Sequence, residues 1–198
     1  ALREAIADFY QKQYGVTLNP ENEILPLLGS KEGIMHISMA FLNPCDQVLV
    51  PNPGYPTYTS VTRLVEAEAV FYNLKADSHW LPNLEELKRI DCKKVRLMWI
   101  NSPHMPTGTT IDPKLLTELV GWAKQNGILL VNDNPYSFVL TDQPQSIFQN
   151  SDDKSHKFLG DTRNSKIELK IPKEGLPVHG TIFQDGGTRY LAISDWTH

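Results

Sequence analysis

Four consecutive aliphatic residues, Ile128, Leu129, Leu130 and Val131, stand between Gly127 and the segment Asn132-Asp133-Asn134-Pro135-Tyr136. An apolar run with no polar alternation reads as a strand buried on both faces, the condition of a strand inside a parallel sheet. Such a sheet needs helices on both sides, which narrows the fold class before anything else is known. Ligands of open α/β sheets bind beyond the carboxyl ends of strands, so Asp133 is a site candidate by position. The competing reading is that Asp133 only caps a turn with Asn134 and Pro135.

The rest of the chain supplies the partners that such a strand requires. Residues 2–14 place Leu2, Ile6, Phe9 and Tyr10 on one side at helical spacing, with Gly15 as a stop. The chain thus opens on a helix with no element before it, as expected of a piece of something longer. Ile24, Leu25, Leu27 and Leu28 form a short apolar run that leads through Gly29-Ser30-Lys31-Glu32-Gly33 into a helical run from Ile34 to Leu42. Free backbone N–H groups at such a helix start make an anion seat, and an ordinary N-cap at Ser30 explains the same letters. Gln47 to Val50 reads as a short buried strand, followed by the proline-stiffened loop Pro51-Asn52-Pro53-Gly54-Tyr55-Pro56 and a helical stretch around Tyr58 to Val65. Tyr55 is thereby held either as an aromatic surface for a flat ligand or as ordinary core.

Residues 67–74 alternate as a further strand, Pro82-Asn83 opens a helix through Leu84, Leu87 and Ile90, and Val95 to Ile100 is again an apolar strand. It runs into a second rigid loop, Asn101 to Gly108. Asp112-Pro113 then starts a helix whose stripe is Leu116, Leu119, Val120 and Ala123. The alternation of strand and helix predicts an α/β fold, a mostly parallel sheet with helices on both faces. Beyond residue 149 the pattern changes. Residues 166–171 alternate strictly, and two strand-like runs, 178–184 and 188–194, flank Asp185-Gly186-Gly187 as a hairpin. The expected organisation is an α/β unit over residues 1–149 and a β-rich tail over 150–198.

With 23 acidic against 19 basic residues among 198, no basic face stands out for nucleic acid. No run approaches the roughly 20 apolar residues of a membrane span. Two cysteines without metal-like spacing suit a reducing, cytoplasmic setting. The six histidines include His156, His179 and His198, which are too scattered for a metal site.

Taken in order, LLGSKEG, VPNPGYPTY, INSPHMPTG and VNDNPYSF resemble the large domain of the class I/II aminotransferases, pyridoxal-phosphate enzymes of fold type I. The resemblance covers residues 1–149 and implies pyridoxal 5'-phosphate as cofactor, with an amino acid and a 2-oxo acid as substrates. It implies that Ser30 and Lys31 hold the cofactor phosphate and that Tyr55 lies against the pyridine ring. Asp133 would pair with the protonated ring nitrogen, keeping the cofactor a strong electron sink, and Tyr136 would donate to its phenolic oxygen. A half-covered family sheet also implies self-association or a partner chain.

Three departures qualify the resemblance. Met105 stands where the family has an asparagine, and a thioether is only a weak acceptor. Cys45 occupies a turn position usually held by glycine. The lysine that transamination requires is expected one strand after the aspartate, in a Ser-x-Ser-Lys motif, and no such motif is present. Lys166, preceded by Ser165, stands at about the right separation but reads as a solvated strand charge. Neither Arg163 nor Arg189 sits in the context of a substrate-carboxylate arginine. The catalytic residues are therefore open, and the alternative is a non-catalytic, truncated or chimeric chain that keeps the pocket outline as a binding or assembly module.

Overall fold

The computed structural model describes residues 1–138, 143–150, 180–185 and 188–193. The expected strand over 166–171, Lys166 and Arg163 lie outside the described residues. Seven strands form one sheet: β1 (Ile24–Pro26), β2 (Gln47–Asn52), β3 (Glu68–Asn73), β4 (Val95–Asn101), β5 (Leu129–Asp133), β6 (Gly180–Asp185) and β7 (Thr188–Ile193). Their order across the sheet is β1-β7-β6-β5-β4-β2-β3. β2 runs parallel to β3 and β4, β4 to β5, and β1 to β7, whereas β6 is antiparallel to both β5 and β7. The carboxyl ends of β1, β2, β3, β4, β5 and β7 therefore share one edge of the sheet.

The apolar runs alternate between two cores, as burial on both faces demands. Leu49, Met98, Ile100 and Leu130 face the core that also takes Ile6, Tyr10 and Tyr14 of α1 (Leu2–Tyr14) and Leu116, Leu119, Val120 and Ala123 of α5 (Pro113–Gln125). Val48, Val50, Leu97, Trp99, Leu129 and Val131 face the other. There they meet Ile34 and Ile37 of α2 (Ser30–Phe41) and Tyr58 and Val61 of α3 (Pro56–Leu64). Leu97, Met98, Trp99 and Val131 are fully enclosed, so the centre of the sheet is dry on both sides.

Local signals set the boundaries. Gly15 closes α1 in the left-handed conformation, φ 66°, with its N–H on the Gln11 carbonyl. Asp112 caps α5 through the N–H groups of Lys114 and Leu115, with Pro113 at the first helical position. The helix expected from Leu84 through Ile90 is shorter: α4 spans Leu84–Leu87, capped by Asn83. Beyond it, the Asp91 side chain accepts from the Lys93 N–H at the start of a short 3₁₀ turn. β6 and β7 pair antiparallel and join the main sheet between β1 and β5, and residues 186–187, where the hairpin turn is expected, lie outside the described residues.

Candidate active site

Asp133 is the last residue of β5 and is buried, 3% exposed. It does not serve merely as a turn cap, because its Oδ2 accepts a 2.8 Å hydrogen bond from the hydroxyl of Tyr58, on the helix that packs across this face of the sheet. Tyr58 is itself clamped. Its ring stacks on Trp99 of β4 at 5.0 Å and 7° between planes, and Tyr55 meets it edge-on at 5.7 Å. Burial pushes the Asp133 carboxyl up to about 6, with the Tyr58 hydrogen bond pulling the other way. The Tyr58 hydroxyl is raised well above its ordinary value, first by burial and then by the adjacent carboxylate. No arginine, lysine or histidine among the described residues pairs with Asp133.

The loop after β4 is tied to the end of β5. Asn101, opposite Asp133 in the strand register, donates through Nδ2 to the Asp133 carbonyl at 2.6 Å and accepts the Met105 N–H on Oδ1 at 2.6 Å. Asn132 Oδ1 accepts the Ser102 N–H at 3.1 Å, and Ser102 Oγ accepts the Ile111 N–H at 3.0 Å. The same loop reaches the one after β2. His104 Nε2 lies 3.2 Å from the Pro53 carbonyl, which can only accept, so Nε2 carries the proton. Its Nδ1 then accepts from the Thr107 hydroxyl at 2.8 Å, and burial holds this imidazole below its usual titration range. In the Pro53 loop, a Cβ on Gly54 would stand 2.4 Å from the Pro51 carbonyl oxygen, so only glycine permits the tight approach that delivers Tyr55 to the start of α3.

The five residues singled out from the sequence fall into three groups at the carboxyl edge. Asp133 and Tyr55 are joined through Tyr58. Tyr136 meets Met105, its hydroxyl 3.7 Å from the sulfur, which brings together the two positions that the resemblance directs to one oxygen. Ser30 and Lys31 open α2, reached from the end of β1 at the same sheet edge. Strand order puts β1 three spacings from β5, about 14 Å at the usual strand separation. No hydrogen bond or ring contact joins Ser30 or Lys31 to the Asp133 group among the described residues.

The cap at Ser30 is corrected by one position: Gly29, φ 135°, is the N-cap, and Ser30 is the first helical residue with no side-chain capping bond. The Glu32 carboxylate reaches back to the Leu28 N–H at 2.6 Å. Sequence reasoning missed Tyr58, Asn101, Asn132 and His104. The only signal for Tyr58 was a polar-tipped ring on an apolar helix stripe.

The chain matches the family model described as aminotransferase class I and II over residues 1–160. It is 42% identical over 141 residues to an LL-diaminopimelate aminotransferase of Dehalococcoides mccartyi, covering 71% of this chain and 36% of that protein. It is 38% identical over 152 residues to transaminase BacF of Bacillus subtilis, covering 77% of this chain and 38% of BacF. The apo form of BacF superposes with a TM-score of 0.71 at 36% identity, over 78% of this chain and 41% of BacF. An aromatic aminotransferase of Pyrococcus horikoshii superposes at 0.71 and 30% identity, over 78% of this chain and 41% of that one. The chain thus spans less than half the length of these relatives.

Proposed function

Because the chain belongs to the class I and II aminotransferases, we propose that it contributes the cofactor-binding half of a transaminase acting between an amino acid and a 2-oxo acid. The observation that carries this reading is Asp133. A carboxylate buried to 3%, with no cationic side chain on it among the described residues, is costly unless a ligand supplies the charge, and the protonated nitrogen of a pyridine ring is such a ligand. Pyridoxal 5'-phosphate supplies, when bound, the electron-withdrawing ring on which amino-group transfer depends.

The donor set of this chain fits that group in part. Asp133 would hold the ring nitrogen, Tyr55 the ring face, Tyr136 the phenolic oxygen, and Ser30 and Lys31 the phosphate at the amino-terminal end of α2, where free N–H groups and the helix dipole favour an anion. Met105 gives no donor where the family has one. Among the described residues no lysine side chain is recorded against Asp133 or Tyr136, and Lys31 is exposed.

We further propose self-association or a partner chain, because Phe9, Leu28, Met39, Leu64, Phe71 and Phe138 all stand exposed. A monodisperse monomer in sedimentation contradicts this. A cytoplasmic setting accords with two free cysteines. No described helix is long and apolar enough to cross a membrane.

The test of function is borohydride reduction of the chain with pyridoxal 5'-phosphate, followed by peptide mass mapping. One lysine labelled in wild type and lost in Asp133→Asn supports a transaminase site. Saturable cofactor binding with no single labelled lysine supports a binding module. Scattered surface labelling without saturable binding refutes both.

A further inference from the structure

Asp133 is held by more than its own strand, and the group that holds its side chain comes from a helix 75 residues away in sequence. Tyr58 donates to Oδ2 at 2.8 Å, its ring lies flat on Trp99, and its own backbone carbonyl accepts from Thr62 Oγ1 at 2.7 Å one turn on. A ring fixed by stacking and by its helix carries its hydroxyl to one place. Tyr58 is completely buried, so that hydroxyl has no water to exchange with. Among the described residues no other side chain donates to the carboxylate.

We propose that Tyr58 is a positioning residue of this site: it occupies Oδ2 of Asp133 and fixes the carboxylate plane, so that Oδ1 is the oxygen offered to a cationic N–H of the ligand. This rests on the reading of Asp133 as the partner of a pyridine nitrogen, and it assigns to Tyr58 the task of keeping that partner both ionised and aimed. A hydroxyl donating to a carboxylate favours its charged form, opposing the burial that favours the acid. The titratable groups facing this pair are Tyr55 on the loop before α3 and Tyr72 on β3, both acting on Tyr58.

Tyr58→Phe removes the hydroxyl and leaves the stacked ring. In the cofactor-free chain labelled with ¹³C-aspartate, the Asp133 carboxyl should titrate higher than in wild type, by about one pH unit, the tenfold change that loss of a charge-assisted hydrogen bond produces. Replacing Tyr58 with 3-fluorotyrosine, a stronger donor of nearly the same shape, should move the titration the opposite way. Pyridoxal 5'-phosphate binding, followed by absorbance, should weaken roughly threefold at pH 6.5 in Tyr58→Phe, as the ionised fraction of Asp133 falls, and recover toward wild type as pH rises. In an Asp133→Asn background the same substitution should change affinity little. An unmoved Asp133 titration in both Tyr58 variants overturns the proposal, whatever the cofactor does. A shifted titration in a chain that binds no cofactor upholds the Tyr58 contact and refutes the function proposed for the site.

Discussion

Asp133→Asn should stabilise the cofactor-free protein at pH 8 while weakening cofactor binding, and the size of the effect follows from the site. The folded carboxyl keeps its proton up to about 6, against an ordinary 3.8. Between those values the folded state binds more protons than the unfolded state, so stability falls as pH rises from about 4 to about 6 and is flat above. The interval corresponds to about 3 kcal/mol. His104 works in the opposite sense. Its folded value is lowered by burial, so its contribution to stability is lost as pH falls below the ordinary 6.5. Wild type alone would mix the two. The difference between wild type and Asp133→Asn cancels His104 and isolates the carboxylate.

Urea unfolding at pH 4 and pH 8 gives that difference directly. At pH 4 the acid is protonated and resembles the amide, so the two proteins should agree to within about 1 kcal/mol. At pH 8 the variant should be the more stable by up to about 3 kcal/mol, since the amide still accepts from Tyr58 without a buried charge. Pyridoxal 5'-phosphate at 100 times its dissociation constant should then add about 2.7 kcal/mol to wild type and much less to the variant, narrowing or reversing the order. If the variant is less stable than wild type at pH 8, or the gap is the same at both pH values, the carboxylate is not the strained group that this reasoning requires.

Other perturbations probe the supports of the site. Asn101→Ala leaves the Asp133 carbonyl and the Met105 N–H without their partner, and should lower unfolding free energy by about 2–4 kcal/mol in urea titration. Gly54→Ala drives a Cβ onto the Pro51 carbonyl oxygen, and should cost about 1–3 kcal/mol in the same assay while shifting the fluorescence of the Tyr55 to Trp99 aromatic group. Met105→Asn returns a donor to the position now facing Tyr136, and should tighten pyridoxal 5'-phosphate binding about fivefold by absorbance titration, the effect of one added neutral hydrogen bond.

Periodicity made the sheet legible because a side chain's face follows from its parity. Met98 and Ile100 fall in one core and Leu97 and Trp99 in the other, as an unbroken apolar strand must divide them. The place of Asp133 at the carboxyl end of β5 was legible for the same reason: it ends such a run. Tyr58 was not. Helical spacing could place its ring in the core, but the partner of its hydroxyl depends on how α3 sits over β5, which no local pattern encodes. Asn101 and His104 escaped likewise, because Asn101 ties the end of β4 to the end of β5 and His104 ties the loop after β4 to the loop after β2, contacts that exist only after the sheet has formed. The cap at Ser30 was misplaced by one residue because a serine is the better capping side chain, whereas Gly29 takes the position through a backbone at φ 135°.

These supports converge on one consequence. The backbone of Asp133 is tied to β4 through Asn101, and its side chain is tied to α3 through Tyr58, so two independent elements limit its movement. An exposed acid answers an unfavourable setting by turning toward water, and a loosely held buried one by finding a basic neighbour. Held at both ends, Asp133 can do neither without breaking a buried hydrogen bond, and each such break leaves an unsatisfied polar group at about 1–3 kcal/mol. That is comparable to the free energy its ionisation takes from the fold, so the structure tolerates the charge rather than relaxing around it. On the function proposed for the site, a ligand cation arriving at Oδ1 would offset the cost of the buried charge with no rearrangement of either tie, and the stability withheld from the cofactor-free protein would become affinity for that ligand.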